Sequence, residues 1–167
     1  MQSYAAAVIY SSCTGNTRYL AERLASRFAL PLFAVKDAGN APHTLPLLLG
    51  AWTRQGGPDG RMARFMRNLK GRDVFFFCTM ASYPDSPQAL RCLAKAEALL
   101  AEGKNRLLGH FFCQGRLSPA MLAHSRHPMT AERAKRLKAA ESHPNEADAD
   151  ALIEAVQQAF ALTARLE

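Results

Sequence analysis

The chain has 167 residues, 49% of them hydrophobic, which suits one domain (1–167) with a single buried core and excludes disorder as the default. The formal net charge is +7, carried mostly by Arg54 to Arg72 and Arg116 to Lys138; without interleaved exposed aromatics or a nucleic-acid motif, these stretches read as solvated helix faces or as a dock for something anionic other than nucleic acid. No apolar run reaches bilayer length and the N-terminus has no signal-peptide pattern, so the expectation is a cytoplasmic protein without a membrane span.

Ala5 to Tyr10 is a short β-rich apolar run ended by Ser11-Ser12, a first strand. Thr17 to Phe28 has helical spacing, with Leu20, Leu24 and Phe28 on one stripe and Glu22, Arg23 and Arg27 off it. Pro31 to Val35 reads as a second strand, Ala38 to Pro46 as a loop, and Leu47 to Gly50 as the end of a third strand. Gly56-Gly57-Pro58-Asp59-Gly60 breaks the pattern and starts a helix whose apolar face is Met62, Phe65, Met66 and Leu69. Asp73 to Met80 is continuously apolar, as a central strand covered on both faces requires. Ser86 caps a helix from Pro87 to about Glu102, which Gly103 stops. Arg106 to Cys113 is a fifth strand. Residues 118–142 are expected to be irregular or mobile, with a polar helix from Met129 to Ala140. Asn145, with Asp148 three residues on, opens a last helix along Leu152, Ile153, Val156 and Phe160.

This alternation predicts an α/β fold: a doubly wound parallel sheet of five strands in the order 2-1-3-4-5, with helices on both faces. Ligands of such sheets bind beyond the carboxyl ends of the strands, where the order reverses between strands 1 and 3. The loops after strands 1, 3 and 4 should therefore hold the site.

The first of these, Ser12-Cys13-Thr14-Gly15-Asn16-Thr17, joins a strand to a helix. Backbone N–H groups and the helix dipole attract anions there. Ser11, Ser12, Thr14, Thr17 and Asn16 add donors, and Gly15 permits a positive φ or close approach. A dinucleotide fingerprint lacks two of its glycines here, and a Walker loop lacks its lysine. A phosphatase-type Cys-x5-Arg loop misses by one residue between Cys13 and Arg18. A purely structural turn with hydroxyl caps stays open.

The same six residues resemble the flavodoxin pattern [T/S]-x-T-G-x-T. The resemblance extends to Gly50-Ala51-Trp52, Gly56-Gly57-Pro58-Asp59, Thr79-Met80-Ala81-Ser82-Tyr83-Pro84-Asp85-Ser86 and Phe112-Cys113-Gln114-Gly115. It covers nearly the whole chain and implies a flavodoxin-like fold of a compact subgroup that binds FMN. By that resemblance Ser12 to Thr17 hold the phosphate. Ala51 and Trp52, in the loop after strand 3, and Tyr83 and Asp85, in the loop after strand 4, border the flavin ring. Backbone groups of Thr79, Met80, Ala81 and Ser82 meet its edge. Trp52 and Tyr83 bracket a flat ring, a role that aromatic stacking suits. No side chain need act as a catalytic acid or base.

The implied activity is electron transfer between a reductase and an acceptor protein or small molecule. Two alternatives stay open: an FMN-dependent oxidoreductase acting directly on a small substrate, for instance a tetrapyrrole, and a binding or assembly protein that keeps the fold without the flavin. Flavodoxins are typically acidic, so a charge of +7 departs from their pattern and sets the usual partners aside. Arg54, two residues past Trp52, is a candidate to approach the flavin or an anionic substrate. Cys13, Cys78, Cys92 and Cys113 form no C-x-x-C pair and suggest no disulfide. His124 and His127 lack the further ligands of a metal site. Acidic residues after strand 1, which a response regulator needs, are absent.

Overall fold

The computed structural model describes residues 6–164. Strand β1 (Ala7–Tyr10) leads to helix α1 (Asn16–Phe28), β2 (Leu32–Ala34), a 3-10 turn (Val35–Asn40), β3 (Leu47–Arg54) and the short β4 (Gly57–Pro58). Then come α2 (Gly60–Asn68), β5 (Asp73–Met80), α3 (Pro87–Glu102), β6 (Arg106–Gln114), α4 (Pro119–Ala123), α5 (Ala131–Ala140) and α6 (Glu146–Ala164). The expected start of the first strand, Ala5, lies outside the described residues.

Five strands pair in parallel in the order β2-β1-β3-β5-β6, the expected 2-1-3-4-5 sheet, and β4 is an antiparallel addition to β3. Alternation along each strand builds two apolar layers. Val74, Phe76 and Cys78 face one side with Met62, Met66, Cys92 and Leu100 from α2 and α3. Phe75 and Phe77 face the other with Leu20 and Leu24 of α1 and Leu152 and Val156 of α6. Every residue from Val74 to Met80 is therefore buried, which is why this strand reads as an unbroken apolar run.

Two departures from expectation matter for the site. The third strand runs on to Arg54, so Trp52 and Arg54 lie within it and not in a loop beyond it. Gln55 and Gly56, both with positive φ (52° and 72°), then fold the chain back onto itself as β4. Two consecutive positive-φ residues are the signature of the hairpin turn whose twist suits a β-ribbon. Second, the stretch expected to be irregular holds, besides the expected polar helix (α5), a further short helix, α4. Ser118 and Thr130 accept hydrogen bonds from Met121 N (3.2 Å) and Arg133 N (3.1 Å), capping α4 and α5.

Arg116 N donates to His143 O (3.0 Å), so the chain leaves the sheet after β6 and returns to it at one point. No helix among the described residues is long and apolar enough to cross a membrane.

Candidate functional site

The carboxyl ends of β1, β3, β5 and β6 meet around a narrow slot of about 90 Å³. One wall is the first loop: Ser12, Cys13, Thr14, Asn16 and Thr17. Trp52 and Thr53 of β3 and Thr79, Met80 and Ala81 at the end of β5 form the floor and a second wall. Gly115, Arg116, Leu117 and Met121, from beyond β6, close the third.

The loop is shaped for an anion. Gly15 takes a left-handed φ of 97° and has no neighbour within 4 Å of where a Cβ would stand. Ser12 Oγ accepts from Gly15 N (3.2 Å), bending the turn. Beyond it, the first-turn N–H groups of α1 receive no side-chain cap. Each of the other five helices has one: Asp59, Ser86, Ser118, Thr130 and Asn145 accept from first-turn amides. A thirteen-residue helix whose N-terminus borders a slot with its donors unspent is a receptor for negative charge.

Several donors counted from the sequence are committed to the scaffold. Thr17 is fully buried; its hydroxyl donates to Ala51 O (3.1 Å) and lies 2.9 Å from Thr79 Oγ1, tying α1 to β3 and β5. Asn16 Nδ2 donates to Arg116 O (2.9 Å), fastening the first loop to the segment after β6. Gly115 is required there, since a Cβ would lie 2.6 Å from Asn16 Nδ2. Ser11 Oγ donates to Asp59 Oδ1 (2.8 Å), which also caps α2 through Arg61 N and Met62 N. The hydroxyls of Ser12 and Thr14, with the first-turn amides of α1, are the donors left uncommitted.

Among the residues expected at a ring, Trp52 is half-buried and lines the slot, with Leu117 and Met121 on another wall. Tyr83 is 39% exposed and does not line it; its carbonyl accepts from Ser86 N (3.1 Å) in the turn through Pro84. Ser82 and Asp85 also lie outside the lining, and Ala51 contributes its carbonyl to Thr17. Leu117 and Met121 were missed from sequence, yet Ser118-Pro119 repeats the Ser86-Pro87 helix start and marks a helix at this end of the sheet.

The thiols differ sharply in access. Cys13 is exposed in the first loop, while Cys78, Cys92 and Cys113 are buried. Burial pushes the Cys113 thiol far above its ordinary range and raises Cys78 as well. Ellman's reagent should therefore label one thiol per native chain and four after denaturation, counted by absorbance. Two or more fast thiols in the native protein would contradict this burial.

Residues 7–157 match the flavodoxin domain family. The chain belongs to that family. A curated relative, the flavodoxin-like domain-containing protein BilS of Clostridioides difficile, is 25% identical over 122 residues, covering 70% of this chain and 69% of BilS. Oxidised flavodoxin 2 from Bacillus cereus superposes with a TM-score of 0.53 at 17% identity, over 81% of this flavodoxin-domain chain and 94% of the other. A WrbA-like flavodoxin from Agrobacterium tumefaciens gives 0.51 at 20%, over 85% and all of the respective chains. At these identities the superpositions establish the fold, and the site of this flavodoxin-domain chain stands on its own geometry.

Proposed function

We propose that the slot binds FMN and that the protein is a cytoplasmic electron carrier between a reductase and an acceptor. One observation carries this reading: α1 presents an uncapped N-terminus, under a Ser/Thr loop, at the point where the strand order reverses. The slot's volume suits a phosphate and the start of its chain, and a tricyclic ring would lie across its mouth against Trp52.

FMN, when bound, supplies one- and two-electron chemistry. Ser12, Thr14 and the first-turn amides of α1 hold the phosphate. Thr17 and Asn16 keep that loop rigid by bonding to β3 and to Arg116. Trp52 offers a stacking face, backbone groups of Thr79 to Ala81 offer bonds to the ring edge, and Leu117 and Met121 exclude water from the slot. No side chain among them is placed to move a proton.

The test is optical. Purified protein should be yellow or take up added FMN, and it should bind FMN at least 100-fold more tightly than riboflavin. Two or more charge-assisted bonds to the phosphate, at about 1.5–3 kcal/mol each, give that factor. Equal affinity for the two flavins would remove the phosphate role of the loop; failure to take up FMN would remove the whole reading. Reduction that requires an added reductase supports a carrier, whereas steady NAD(P)H oxidation by the protein alone makes it an oxidoreductase in its own right.

A further inference from the structure

A second, larger cavity of about 630 Å³ adjoins the slot and shares Ser12, Cys13 and Trp52 with it. Its remaining walls are Ser11, Arg54, Asp59, Gly60, Arg61 and Arg64. Two elements bring the charges together. Arg54 ends β3, just before the Gln55-Gly56 turn. Asp59 caps α2, and Arg61 and Arg64 stand three residues apart on that helix, hence on one face.

Three cations without carboxylate partners among the described residues meet in this one concavity. Arg18, Arg23, Arg67 and Arg106 each have a carboxylate partner. Arg54, Arg61 and Arg64 have none among the described residues. Asp59, the one carboxylate in the cavity, is 2% exposed, and its Oδ1 already accepts from Ser11, Arg61 N and Met62 N. Three like charges facing one concavity repel, and an anion relieves that cost. The volume falls in the range of small-molecule sites, about 300–1,000 Å³. Trp52 adds an aromatic wall.

We propose that this cavity is a second ligand site, for a planar small molecule bearing a carboxylate or phosphate. Trp52, shared with the slot, is an apolar wall beside it, and Arg54, Arg61 and Arg64 take its acid group. The proposal deepens the flavoprotein reading and rests on it for the ligand's role as a redox substrate, although not for binding itself. Because the two cavities share three residues, an occupant of this one lies directly beside the slot.

The probe is 8-anilino-1-naphthalenesulfonate, an aromatic anion, compared with uncharged N-phenyl-1-naphthylamine of the same skeleton. In FMN-loaded protein the anion should bind at least tenfold more tightly than the neutral dye. An Arg61→Gln/Arg64→Gln double variant should erase that preference while FMN affinity stays within twofold, and Arg54→Gln should weaken it. Equal binding of both dyes overturns the proposal. So does a preference that survives in the double variant, or anion binding that disappears on loading with FMN, which would mean that the flavin fills this cavity. Failure to load FMN counts against the function proposed above, and the same titration on the FMN-free protein then still decides the cavity.

Discussion

Trp52→Ala should weaken FMN binding by roughly 10- to 100-fold, measured by titrating flavin fluorescence. Removing an aromatic partner from a stacked heterocycle costs about 1–3 kcal/mol, and about 1.4 kcal/mol is a factor of ten. The fold should tolerate the change. Trp52 is half-buried, and its structural contribution runs through the backbone: register with Thr79 on β5, and a carbonyl that accepts from Asp59 N at 2.8 Å. Trp52→Phe should retain most of the affinity. A change below threefold in the alanine variant would mean that the ring does not lie against this residue. Tyr83→Ala should have a much smaller effect, because Tyr83 stands outside the slot lining.

The largest loss of stability is expected from Phe76→Ala. Phe76 is completely buried at the centre of β5 and meets Phe112 edge to face, with centroids 6.0 Å apart and planes at 83°. Truncating a buried phenylalanine costs about 3–5 kcal/mol through lost transfer energy and the cavity left behind. Against the roughly 5–15 kcal/mol that holds a typical domain together, that is a large fraction. Urea unfolding should show the midpoint falling by about 2 M with an unchanged slope, for a slope near 2 kcal/mol per M. A loss under about 1 kcal/mol would contradict the packing of this layer.

What the sequence discloses follows the range of the interactions involved. Asp73–Met80 and Pro87–Glu102 are legible to the residue, because two-faced burial and a Ser-Pro start are local facts. The end of β3 is not, because its turn uses Gln55 where asparagine or glycine would announce a hairpin. Helix α4 spans five residues, too few for a period to show. The first loop's place at the slot is legible since its residues are contiguous. Its division of labour is hidden, since the commitments of Thr17, Asn16 and Ser11 are to Ala51, Arg116 and Asp59, far along the chain. Leu117 and Met121 reach the slot for the same reason, through tertiary placement alone.

The bond from Arg116 to His143 has an architectural corollary. Residues 117–142 depart and re-enter through one doorway, touch β6 through the bond from Gln114 Nε2 to Arg136 O, and give no residue to either apolar layer. Such an excursion behaves as a cassette. Closing a loop twice as long adds only about 0.6 kcal/mol, so the insert could be lengthened, trimmed or exchanged while the sheet and first loop persist. Whatever roofs the slot is thus free to diverge independently of what anchors its occupant.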